Sequence, residues 1–86
     1  MKKIHTSIKD LFIIEPEVYK DDRGYFMESF KENWFKKEFP DIKFIQDNES
    51  KSTYGILRGL HFQTPPFSQT KLVRVVKGEV LDVALD

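Results

Sequence analysis

The chain has 86 residues, with 14 basic and 14 acidic side chains, a formal charge of zero and no cysteine. That length holds at most one small domain, and the balanced charge gives no broad basic face for nucleic acid. Disulfide frameworks and thiolate metal sites are excluded. The opening MKKIHTSIKD turns polar at once and no apolar run approaches membrane-spanning length, so no membrane role is expected and the expected setting is the cytoplasm.

In chain order, LFIIEPEVY (11–19) reads as a strand that bends or lies at an edge at Pro16, which cannot donate to a ladder. KDDRG (20–24) has turn chemistry: aspartates that close Asx-turns and a glycine that tolerates positive φ. YFMESF (25–30) places Phe26, Glu28 and Phe30 on one strand face. Glu28 there would need a partner if buried. SFKENWFKKEF (29–39) is the one helical stretch. Ser29 and Glu32 could form a capping box, apolar rings fall four apart, and Pro40 stops the helix. IKFIQDN (42–48) and ILRGLHFQ (56–63) read as strands, separated by a polar loop. TPPFSQT (64–70) is irregular, and KLVRVV (71–76) with EVLDVALD (79–86) forms a hairpin signal about Lys77-Gly78. VLDVALD alternates cleanly and calls for a strand partner, so association through strand exchange is expected. The expected class is mainly β.

The chemistry concentrates in LRGLHFQTPPFSQTK (57–71), where His61 lies between Arg58 and Lys71. Imidazoles titrate near neutrality, and neighbouring cations favour the neutral form that a general base needs. The cations could hold an enolate oxygen or a diphosphate. The competing reading is a core histidine bonded to a backbone carbonyl. Strict alternation would place Arg58 and His61 on opposite faces, so a shared site requires an irregularity at Gly59. Small β-barrels that bind metal often use a His-x-His pair, whereas here the triplet is His61-Phe62-Gln63, and no metal is expected. Arg23 after two aspartates is ordinarily a solvated turn residue. Gln46 and Asn48 could close a turn or hold a ligand.

Taken together, DDRGYFMESF, FIQDNESKSTYGILRGLHFQ and KLVRVVKGEVLDVALD resemble the dTDP-4-dehydrorhamnose 3,5-epimerase family. The resemblance implies a cupin-like jelly roll or β-sandwich, with residues 1–86 as the N-terminal part of a single domain. It implies a homodimer with strand exchange and an isomerase that uses no cofactor and no metal. The reaction would invert C3 and C5 of a dTDP-4-keto-6-deoxyhexose, a step of dTDP-L-rhamnose biosynthesis. On that resemblance His61 is the base and Lys71 favours the enolate. Arg58 faces the diphosphate or nucleotide, Arg23, Phe26 and Glu28 contact the nucleotide across the dimer, and Gln46 and Asn48 are ligand positions. The family's proton-donating tyrosine and base-orienting carboxylate have no counterpart here, since Tyr19, Tyr25 and Tyr54 lie in other motifs. The isolated 86 residues are therefore expected to be inactive. Two other readings stay open: a non-catalytic sugar-nucleotide binding module, and a strand-exchange assembly element.

Overall fold

A four-residue strand, β1 (Lys2–His5), opens the chain and pairs antiparallel with β2 (Phe12–Glu15), with Ile4 opposite Ile13 and His5 opposite Phe12. The connection is tied by Thr6, whose Oγ1 donates to the Leu11 carbonyl at 2.8 Å. The same oxygen accepts the Ile8 N–H at 3.2 Å. β1 was not expected: its lysines masked a strand with one isoleucine. The computed structural model describes residues 1–86. They form two compact units, Met1–Asp41 with Asp82–Asp86, and Ile42–Leu81.

The break at Pro16 is as the sequence predicts. β2 ends at Glu15 and β3 (Val18–Asp21) starts a second antiparallel pair with β4 (Gly24–Met27). The turn falls on Asp22 and Arg23. Gly24 follows at φ +134, where the backbone itself demands glycine, since nothing lies within 4 Å of an added Cβ. β4 ends at Met27, so Glu28 and Phe30 lie beyond the strand and do not share a strand face with Phe26. Glu28 is exposed and carries no burial penalty.

Helix α1 spans Glu32–Glu38, shorter than the predicted 29–39. Its N-cap is Lys31, in extended conformation, with no side-chain cap. The Ser29 capping box does not form. Instead Phe30, just before the cap, stacks on Phe35 with centroids 4.8 Å apart. That is a hydrophobic staple, and stacking a half-exposed ring on the buried Phe35 outweighs one hydroxyl bond. Glu32 favours the positive helix start and pairs with Lys36 at 2.7 Å. Pro40 follows the last turn.

The core of the first unit is aromatic. Phe35 is the only buried residue, at 4% exposure. Phe39 stacks on Phe35 at 6.0 Å and tilts against Phe12 of β2 at 5.4 Å. Lys3 lies 5.2 Å from the Phe12 ring centre, 5.1 Å from that of Phe39, and 3.2 Å from the Glu38 carboxylate. The ammonium of this β1 lysine sits over both rings and pairs with Glu38, which fastens helix to sheet.

The predicted strands at 42–48, 56–63, 71–76 and 79–86 are not formed. The chain bends at Val76-Lys77-Gly78, with Gly78 at φ +89, but no ladder closes beside it. Residues 45–86 are exposed throughout, so alternating residues such as Leu57, Leu81 and Val83 meet no facing apolar layer. A lone hairpin without such a layer is marginal in water. The architecture is thus mainly β, as predicted: four antiparallel strands in two small sheets with one short helix, consistent with an incomplete β-sandwich. No helix is long and apolar enough to cross a membrane.

Candidate functional site

The predicted site residues divide between the two units. Arg23, Phe26 and Glu28 belong to the first, and Gln46, Asn48, Arg58, His61 and Lys71 to the second.

The β3–β4 hairpin brings Arg23 and Phe26 to one open groove of about 440 Å³, shared with Tyr19, Lys20 and Tyr25. Tyr19 stands opposite Phe26 in the register, so two aromatic rings flank the groove. Both are largely exposed, Phe26 at 66% and Tyr19 at 57%. Rings so exposed offer faces on which a base or sugar can stack. Arg23 is held by the residue that closes the turn. Its N–H donates to Asp21 Oδ1 at 2.9 Å, and its Nη2 donates to Asp21 Oδ2 at 2.6 Å. These bonds hold the Asp21 carboxyl below its ordinary range, the side-chain contact contributing most and the backbone N–H next, against a small opposing effect of desolvation. The same contact raises Arg23 further above its ordinary range. Tyr19 is pushed up chiefly by the negative charge of Glu17, with desolvation, a hydrogen bond to Glu17 and the charge of Glu28 adding to it.

Glu28 lines a different groove, about 350 Å³, with Lys31, Asn33, Trp34 and Lys37. The sequence grouped it with Arg23 and Phe26, and the end of β4 at Met27 separates them. Asp21 closes the turn as the sequence predicts, and what sequence reasoning missed is its pairing with the Arg23 side chain. An aspartate two residues before an arginine in a tight turn was the available signal.

In the second unit, Gln46 Nε2 donates to Asn48 Oδ1 at 3.4 Å, so the two amides lie together on an exposed stretch. Arg58 Nη2 donates to the Lys51 carbonyl at 3.1 Å, which turns the guanidinium towards the polar loop 49–55. No ladder runs through 57–63, so strict alternation does not govern Arg58 and His61. Gly59 has φ +118, and a Cβ there would sit 3.6 Å from His61 Nδ1. A side chain there would only touch the imidazole in ordinary contact, so it is the positive φ that calls for glycine. His61 and Lys71 are both exposed. No group of three or more His, Asp or Glu side chains is arranged to hold a metal ion.

Comparison with known proteins bears on the whole span. The dTDP-4-dehydrorhamnose 3,5-epimerase family matches residues 5–86. An epimerase of that name from Shigella flexneri is 54% identical over 87 aligned positions, covering 100% of this chain and 48% of the relative. One from Methanothermobacter thermautotrophicus is 57% identical, covering 96% of this chain and 44% of the relative. One from Neisseria gonorrhoeae is 51% identical, covering 100% of this chain and 26% of the relative. The chain therefore spans about half the length, or less, of these relatives. No solved structure matches it. With the family match running across both units and through every predicted site residue, the chain belongs to the dTDP-4-dehydrorhamnose 3,5-epimerase family.

Proposed function

We propose that this chain supplies the base and much of the nucleotide cradle of a dTDP-4-dehydrorhamnose 3,5-epimerase. The substrate is dTDP-4-dehydro-6-deoxy-D-glucose, inverted at C3 and C5. The observation that carries the reading is the family match over residues 5–86, which includes both His61 and Lys71.

The chemistry follows from the substrate. C3 and C5 are both α to the C4 ketone, so loss of either proton leaves an enolate rather than a free carbanion. His61 takes the proton, and the electron pair moves onto the C4 oxygen. Lys71 places an ammonium near that oxygen and favours the enolate more than the ketone, which is where catalytic stabilisation counts. Reprotonation from the opposite face completes inversion. The pair returns to the carbon it left, so the reaction is redox-neutral and requires no cofactor or metal. The acid for that step is not assigned to Tyr19, Tyr25 or Tyr54.

Arg23 and Arg58 hold the diphosphate and nucleotide, Phe26 offers a ring to the nucleotide, and Glu28, Gln46 and Asn48 supply polar contacts. The working domain is a cupin-like jelly roll in a homodimer that exchanges strands. Exposed residues of the second unit support the pairing: Leu57 and Leu81 stand 90% and 92% exposed on strand-like sequence. The setting is the cytoplasm, because a nucleotide-diphosphate sugar is too highly charged to cross a bilayer unaided.

The test is a hybrid in which residues 1–86 replace the matched stretch of the Shigella flexneri relative. The hybrid should epimerise the 4-keto sugar nucleotide, and His61→Asn should lower turnover by about 10²–10⁴-fold, the usual scale of a general base. A hybrid that binds dTDP without turnover would favour a binding module. A folded hybrid that does neither would favour an assembly role. Either result would overturn the proposal.

A further inference from the structure

We propose that Asp21 is the positioning residue for Arg23. It holds the guanidinium so that its outer Nη1/Nη2 edge is presented to a phosphate of the bound nucleotide. The inference rests on the assignment of Arg23 to nucleotide binding made above.

One carboxylate grips Arg23 at two levels. Oδ1 accepts the backbone N–H at 2.9 Å, which closes the turn between β3 and β4. The side chain is held separately: Nε lies 3.3 and 3.2 Å from the two carboxylate oxygens, and Nη2 lies 2.6 Å from Oδ2. A guanidinium carries five N–H donors in one plane. A side-on grip engages Nε–H and one hydrogen of Nη2. Both hydrogens of Nη1 and the second of Nη2 remain, and one from each nitrogen forms the parallel fork that fits two phosphate oxygens. The Arg23 side chain is 90% exposed, so the fork is open to a ligand. It borders the groove flanked by Tyr19 and Phe26.

The side-chain half of this grip has little to do for the fold. The turn is already closed through the backbone bond, and exposed ion pairs stabilise proteins weakly. Restraining the arginine serves presentation instead. A free arginine spreads over many rotamers, and arresting them is worth up to about 30-fold in binding. The opposing effect is repulsion between Asp21 and the phosphate. At ~0.15 M salt the screening length is about 8 Å, and in solvent this repulsion amounts to only about 2- to 3-fold. Preorganisation therefore outweighs repulsion.

The experiment uses the hybrid described above with Asp21→Asn, Arg23→Ala and the double variant. Asparagine keeps the acceptor for the Arg23 N–H, so the turn survives, but its amide cannot hold Nε and Nη2 as a carboxylate does. Asp21→Asn should raise the substrate KM and the dTDP Kd by about 3- to 10-fold with kcat within about 2-fold. On the Arg23→Ala background it should change Kd by less than about 2-fold, because there is no guanidinium left to position. An unchanged or tighter Kd in Asp21→Asn would overturn the inference, as would equal weakening on both backgrounds. If Arg23→Ala itself leaves Kd unchanged while the hybrid turns over, the inference falls and the epimerase reading stands. In the 86-residue chain, ¹⁵N relaxation at Arg23 Nε reads the grip without catalysis. It should be restricted in the parent and freed by Asp21→Asn, and free motion in the parent would refute the grip.

Discussion

Replacing Phe35 by alanine should unfold the first unit. Phe35 is 4% exposed and is the only buried side chain, so the unit has no second buried residue to share the loss. Phe-to-Ala changes at buried sites cost about 3–5 kcal/mol, combining lost transfer energy with the cavity left behind. Two features set the value within that range. Phe35 stacks on Phe30 and Phe39 and meets Trp34 edge-on at 5.0 Å, so several ring contacts are lost together. Its neighbours are only half-buried and can partly close the gap, which favours the lower end. A loss of about 3 kcal/mol follows, a large share of the total stability of any small domain. Phe30→Ala is the control: that ring is 48% exposed and should cost roughly half as much. Urea unfolding followed by Trp34 fluorescence and near-ultraviolet circular dichroism reads both. A Phe35→Ala loss below about 1 kcal/mol, or no larger than that of Phe30→Ala, would refute the single-residue core.

Lys3→Met should separate stem from charge. It keeps a side chain of similar length but removes the cation over Phe12 and Phe39 and the Glu38 pair, so it should cost about 1 kcal/mol in urea unfolding, against more for Lys3→Ala. The Asp21 carboxyl should titrate below its ordinary value of 3.8, since its pKa is lowered by Arg23. A lowered folded value means that the contact's contribution is complete above the ordinary carboxylate range and is lost as pH falls through the lowered one. A ¹³C carboxyl titration should show this, and Arg23→Ala should return the midpoint towards 3.8.

Local chemistry was the legible part of this fold. Pro16 breaks the strand, Asp22-Arg23-Gly24 makes the turn, and Pro40 ends the helix, each through a constraint carried by a single residue. Competition between local signals was less legible. Ser29 and Glu32 spelled a capping box, and the Phe30–Phe35 staple won because stacking on the buried Phe35 exceeds one hydroxyl bond. β1 was hidden because its worth depends on non-local partners: Ile4 opposite Ile13, and Lys3 over two rings. Strand-like sequence from 42 to 86 overstated the ladders, since β propensity is expressed only against neighbours and a facing layer. At the site, residue types were readable and placements were not. Arg23 is the solvated turn residue the sequence suggested, but its side-chain pair with Asp21 was not legible. Glu28 was separated from Phe26 by one residue of strand length.

The most direct measurement of the central claim is proton wash-in from deuterated water. In the hybrid carrying residues 1–86, NMR of the dTDP-4-keto sugar should show deuterium entering at both C3 and C5. His61→Asn should slow that entry by about 10²–10⁴-fold while dTDP still binds. Deuterium entering at the parent rate without His61 would contradict its assignment as the base.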